Sequence, residues 1–448
     1  MENKSFFDRI NEWVRTSVGL KVFTIAFLVL ILLIPVSMVE DLIREREIYQ
    51  QEVIYEVSQK WGEHQTVTAI VLNIPYHTFS SVKNDDGTEK IIKAKHVAHF
   101  LPTTLNISGD IKPEKRYRGI YEVVLYNCDL DIDGFFDRPN FKKLNIDQQN
   151  VEWDQATISL GLSDLRSIQN DVHINWNNLE LEFDPGVKDN DVVRSGISTT
   201  VPVNDTLTQY KFKVNLNFNG SSGIGFTPLG KVTKVNVTSI WSEPKFDGAF
   251  LPDNREVNNS GFTANWEILH LNRNYPQEFT DALGNVSLSD FGVSLIMPVD
   301  EYQKNMRSVK YAVMFISLTF LIYFFSQIKT RIKIHPIQYL IVGLALCLFF
   351  TLLLALSEHI SFGPAYLVAS IAIIGMITAY SYFIFKDNLL TKILLGILIM
   401  LYGFIYVIIQ LQDYSLLIGS IGLFIILGVI MYLSRNIDWY NYNSDSSE

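Results

Sequence analysis

Three consecutive residues, Ser357-Glu358-His359, carry the side-chain types of acid–base and nucleophilic chemistry. Neighbours on a helix point about 100° apart. The three therefore cannot act among themselves as nucleophile, base and orienter. They read instead as a candidate seam, where the end of a membrane helix meets water or a polar domain. Asp129-Leu-Asp131-Ile-Asp133-Gly134 matches the opening of a calcium loop. Its twelfth position is Asn140 rather than Glu, and Cys128, Leu130 and Ile132 alternate with the aspartates as in a strand with one wet face. Asp129, Asp131 and Asp133 are weak calcium candidates on that account.

The 8 histidines show no HxxxH or similar spacing. His96 and His99 fall on opposite faces of an expected strand, so no zinc site and no cofactor is expected. His335-Pro336 suits the first turn of a helix. With Lys333 and Arg331 before it, it marks a candidate cytoplasmic interface. Gly223 to Gly230 is Gly-rich but lacks the G-K-[ST] ending of a phosphate loop, and it reads as a loop between strands. The 2 cysteines, Cys128 and Cys347, lie in segments of different polarity, and no disulfide between them is expected.

Those residues sit on two kinds of chain. Between Glu40 and Arg307 there are 26 Lys+Arg and 38 Asp+Glu, a net of −12; the remainder holds 11 and 9, a net of +2. An acidic block repels phosphate, which argues against nucleic acid as a partner. The apolar remainder predicts six transmembrane helices. The first, 20–39, reads as an uncleaved signal anchor after a basic cytoplasmic tail, 1–19. The other five, about 309–328, 337–356, 364–385, 393–410 and 416–434, form a C-terminal bundle followed by a cytoplasmic tail, 435–448. Each apolar stretch has about the 20 residues that cross a hydrocarbon core. Basic residues at Lys329, Arg331, Lys333, Lys386, Lys392 and Arg435 place both termini in the cytoplasm. Trp13, Trp439, Tyr440 and Tyr442 suit headgroup depth.

The block 40–308 is expected outside the membrane, between spans one and two. Asp41 to Trp61 reads as a juxtamembrane helix. From Thr66 to about Pro298 the period changes to two. The clearest case is Tyr210 to Phe218, where Tyr210, Phe212, Val214, Leu216 and Phe218 share one face. Asp86-Gly87, Asn219-Gly220 and Asp247-Gly248 are turn signals. The fold class is thus an α+β membrane protein with a large, mainly antiparallel β periplasmic domain. Ionisable residues are absent from the middles of the spans, which argues against proton- or sodium-driven transport. Oligomeric state leaves no sequence signature.

Several long strings carry a resemblance. They are His335-Pro-Ile-Gln-Tyr-Leu-Ile-Val-Gly-Leu344, Leu352-Leu-Leu-Ala-Leu-Ser-Glu-His359 and Arg435-Asn-Ile-Asp-Trp-Tyr440 near the C-terminus. Leu32 to Met38, Pro244 to Pro252 and Ser260 to Trp266 lie earlier. The chain resembles the CreD family of bacterial inner-membrane proteins over nearly its whole length. The resemblance implies an inner-membrane location, one N-terminal span, a large periplasmic domain, a C-terminal group of spans, and a part in envelope integrity and stress response. It supplies no enzymatic residues. Lys83 to Lys90 and Lys188 to Thr208 depart from the family pattern.

Three functions are compatible with this reading. The first is a non-enzymatic envelope protein that binds a protein, lipid or wall component through its β domain, with membrane lipids around its spans. The second is a lipid or amphiphile conduit beneath the domain. The third is an outer-leaflet enzyme using Glu358 or His359.

Overall fold

The computed structural model describes residues 18–83, 89–280, 282, 286–297, 301–330, 332, 334–411 and 414–435. The chain divides into two compact units, Gln51–Pro298 and the combination of Met1–Gln50 with Val299–Glu448. The Asp86-Gly87 turn, Arg331, Lys333, Trp13, Trp439, Tyr440 and Tyr442 lie outside the described residues.

The unit Gln51–Pro298 is built on two sheets, of nine and eight strands. In the first, Gln65–Lys83 is central. It pairs antiparallel with Glu89–Phe100 and Thr157–Leu162, and parallel with Gly223–Thr227. In the second, Tyr121–Asp137 lies between Thr104–Arg118 and Gln209–Ser221, antiparallel to both. Val232–Ser239 joins Thr104–Arg118 in parallel. The domain is mainly antiparallel as expected, with two parallel pairings that single-strand periodicity does not encode. Gly223–Thr227 is one of these parallel strands, not the expected loop. Its backbone groups are taken up on both sides, by Gln65–Lys83 and Phe291–Leu295, and that pairing satisfies what a buried loop would leave open.

Alternation decides which faces meet. Tyr210, Phe212, Val214, Leu216 and Phe218 are buried while Lys211, Lys213 and Asn215 are exposed. Each such side chain contributes roughly 1.5–3 kcal/mol on full burial. The two sheets share one continuous core, and Trp266 of one sheet meets Phe291 of the other at 5.5 Å between ring centroids. Tyr126 lies within it and donates its hydroxyl to Gly223 O at 2.8 Å. A Cβ at Gly220 would come within 2.3 Å of that tyrosine ring, so glycine is required there.

The other unit is helical. It contains most of α1 (Val18–Trp61), then α2 (Glu301–Lys310), α3 (Ala312–Thr330), α4 (Pro336–Ser357), α5 (Phe362–Phe385), α6 (Asn388–Gln410) and α7 (Ser415–Ser434). The expected domain range 40–308 is wider than the compact β unit, because residues 301–310 form a helix that bonds to α4. Among the described residues, α1, α4, α5 and α6 are long and apolar enough to cross a membrane. The pair α2 and α3, bent by 40°, makes a fifth if it counts as one span, and the apolar part of α7, Leu417–Tyr432, is shorter.

Rings knit this unit together. Phe315 packs on Tyr402 at 4.5 Å, and Tyr402 on Phe349 at 4.9 Å. Three tyrosine hydroxyls find partners within the bundle: Tyr366 donates to Tyr402 O at 2.8 Å, Tyr339 to Gln327 Oε1 at 3.2 Å, and Tyr323 bonds with Ser381. In an apolar surrounding an unpaired hydroxyl is costly, and such bonds also fix helix pairing.

Candidate functional site

Two helices, α1 and α2, converge on the end of α4. Ser357 is its last residue and Glu358 its C-cap. Pro336 starts that helix, with His335 as N-cap: its Nδ1 accepts from Ile337 N at 3.3 Å, and its own N–H donates to Gln338 Oε1 at 2.9 Å. At the far end, Glu358 Oε1 accepts from the Tyr302 hydroxyl at 3.1 Å and faces Arg46 Nε at 3.7 Å. Tyr302 lies on α2 and Arg46 on α1. Ser357 Oγ accepts from Asn305 Nδ2 at 2.7 Å and donates to Leu354 O at 2.9 Å. Asn305 Nδ2 also donates to Glu301 O at 2.9 Å.

This arrangement is a helix clasp. The Ser357 proton is committed to a backbone carbonyl, so the hydroxyl has no base to activate it. His359 bonds through Nδ1 to Ala355 O at 3.2 Å on its own helix and stays exposed. The structure therefore brings Ser357 and Glu358 into one polar cluster and leaves His359 out. Tyr302, Asn305 and Arg46 are the partners that sequence reasoning missed. A signal for two of them existed, because Tyr302, Asn305, Ser308 and Val309 form the buried face of α2 at helical spacing.

The calcium candidates are on a strand. Asp129, Asp131 and Asp133 belong to Tyr121–Asp137, paired on both sides. Residues two apart on a strand are separated by about 7 Å, too far for the compact oxygen cage of a calcium loop. Each is taken up across the sheet: Asp129 by Lys112 Nζ at 2.6 Å and by Asn217, Asp131 by Asn215 at 3.3 Å, and Asp133 by Asn106 at 2.9 Å. The Lys112 ammonium holds the Asp129 carboxyl below its ordinary range, helped by Asn217.

A different cluster has ligand geometry. One donor atom each from His99, Asp189 and Asp191 falls within 4.8 Å of the others. His99 pairs with Asn73 on one side and Phe279 on the other. Its side chain is 1% exposed, with Asp189 at 19% and Asp191 at 38%. His99 stands about 90 positions from the two aspartates along the chain, so no spacing motif joins them. His96, on the opposite face as expected, bonds to Thr78 instead.

Cys128 and Cys347 are both free and buried. Burial pushes the Cys128 thiol up, with the Asp129 and Asp110 charges adding to it. A thiol held protonated in this way is a poor nucleophile.

Comparison with known proteins bears on the whole chain. A family model described as inner membrane protein CreD matches residues 17–440. The inner membrane protein CreD of Escherichia coli (strain K12) is 31% identical over 421 residues, which is 93% of this chain and 92% of that protein. With apolar helices, a large β unit and a match of this length, the chain belongs to the CreD family of inner membrane proteins.

Proposed function

We propose that this protein serves envelope integrity and stress response by binding. Its helices make six crossings, its termini are cytoplasmic, and its β unit stands in the periplasm between spans one and two. There the β unit binds an envelope protein, lipid or wall component.

The observation that carries this reading is a ribbon. Beyond Thr78 and Ala94, the strands Gln65–Lys83 and Glu89–Phe100 pair only with each other among the described residues. Phe79 and Ile91 lie on one face of that ribbon as diagonal neighbours and are 56% and 70% exposed. A two-stranded ribbon is marginal in water on its own. One that displays large apolar side chains gains stability from whatever covers them. The helix clasp fits the same reading, since Glu358 is engaged in holding α1 and α2 to α4 rather than in chemistry.

The test is photo-crosslinking in living cells from a reactive residue placed at Phe79 or Ile91, with Lys213 as control. A discrete adduct from the ribbon and none from Lys213 is expected. Diffuse labelling from all three positions would remove the basis for the proposal. As a second arm, Glu358→Gln with His359→Ala is expected to restore envelope integrity in a deletion strain; failure with normal insertion would favour an enzyme.

A further inference from the structure

The hydrogen bonds around His99 determine which of its nitrogens is free. Asn73 Nδ2 donates to Ser159 Oγ at 2.9 Å, which turns Asn73 Oδ1 towards His99 Nδ1 at 2.8 Å. An amide oxygen only accepts, so Nδ1 carries the proton. In the neutral ring, Nε2 then presents a lone pair. That lone pair faces Asp191 Oδ2 at 3.3 Å and Asp189 Oδ1 at 3.8 Å. Three electron-rich atoms thus converge on one point, and they repel unless a positive charge stands between them.

Two charges would serve: a proton on Nε2 or a metal ion. Burial opposes the first, because a ring only 1% exposed is poorly solvated as a cation. The distances favour the second. Donors about 2.1 Å from a tetrahedral zinc ion stand roughly 3.4 Å apart. The two separations from His99, 3.3 and 3.8 Å, bracket that value, and all three donor atoms lie within 4.8 Å of one another.

The surroundings are those of a metal site. A ligating histidine commonly gives its other N–H to an oxygen acceptor, which fixes its tautomer and orientation. Asn73 does that here. Phe279 stacks on the ring at 4.9 Å between centroids and 24° between planes, which blocks its rotation. Asp191 N donates to Asp189 Oδ1 at 2.9 Å, so the two aspartates are already held in one turn. Asp191 is the most exposed of the three, so solvent reaches the cluster from its side.

We propose that His99, Asp189 and Asp191 bind one divalent transition-metal ion of the zinc class, with water completing the coordination. Bound there, the ion ties the turn at Asp189–Asp191 to the strand Glu89–Phe100. An imidazole with two carboxylates suits Zn²⁺ and its Co²⁺ surrogate better than the all-oxygen preference of Ca²⁺ or Mg²⁺.

The full-length protein, purified in detergent and stripped with chelator, is titrated with Zn²⁺ and separately with Co²⁺. Binding is followed by calorimetry, by metal content after desalting, and for Co²⁺ by its visible d–d absorption. One equivalent is expected, with a rise in Tm. Asp189→Asn and Asp191→Asn, both partly exposed and able to fold without the ion, each weaken binding at least 10-fold; His99→Gln abolishes the Co²⁺ band. Absence of a stoichiometric equivalent in the parent protein would overturn the site. Undiminished affinity in both aspartate variants would also overturn it. A His99 imidazole whose NMR shifts titrate with pH but ignore added Zn²⁺ would assign the cluster to a protonated ion pair instead.

Discussion

At the scale of single residues, burial and partner chemistry decide which charges this protein carries. Arg273 is buried, and among the described residues no carboxylate pairs with it. Its guanidinium donates to the carbonyls of Leu229 and Tyr275 and to Gln277, stacks 4.1 Å from the Tyr275 ring, and is pulled down to about 10 by burial. Asp290 is the acidic counterpart. Burial raises its carboxyl to about 6, against a smaller opposing pull from the Thr227 hydroxyl, which donates to Oδ1 at 2.6 Å. A carboxyl raised on folding favours the native state while it is protonated. That contribution is complete below its unfolded value of about 3.8 and is lost as pH rises through about 6. Asp290→Asn keeps the acceptor for Thr227 and removes the charge. It is expected to stabilise the protein by about 1–2 kcal/mol at pH 7.5, after allowance for solvent screening, and not at pH 3.5. Chemical denaturation at the two pH values measures this, and an equal gain at both would refute the charge argument.

At the scale of elements, α1 and α4 approach closely at Gly343. A Cβ at Gly343 would sit 2.1 Å from Leu32 Cδ1 and 3.0 Å from Phe320, and Leu32 is fully buried. Small residues at such crossings let backbones approach. Gly343→Ala is expected to lower the Tm in detergent, with Leu32→Ala in the same chain recovering most of the loss. Simple additivity of the two changes would mean they do not meet. Much of this level was legible beforehand. The strand from Tyr210 to Phe218 emerges as Gln209–Ser221 with the expected face inward, because alternation is enforced by one buried side. His335-Pro336 starts α4 as its residue types demand. The bend between Lys310 and Ala312 was not legible, nor were the parallel pairings or the partners of Glu358 and His99. Each depends on residues distant in sequence, and a local pattern records only what a segment buries, not what it is buried against.

At the scale of the whole molecule, the proposed orientation can be read with thiol chemistry. Both native cysteines are buried, so the parent protein provides a silent background. Lys93→Cys on the exposed ribbon is expected to react with a membrane-impermeant maleimide in intact spheroplasts. Asn388→Cys, at the start of α6, is expected to react only after permeabilisation. Labelling of Asn388→Cys from outside would reverse the proposed sidedness. The topology of the β unit has a further consequence for its biogenesis. Gln65–Lys83 is the centre of its sheet, yet Gln65 pairs with Ile224, and Ile224 in turn with Val293. At about 5–20 residues per second of synthesis, the first of these partners follows its strand by roughly ten to thirty seconds. Throughout that interval an apolar, β-branched strand has an open edge. The nascent chain is therefore most exposed to proteases and to mispairing before Gly223–Thr227 is made, and demand for chaperones should peak in that window.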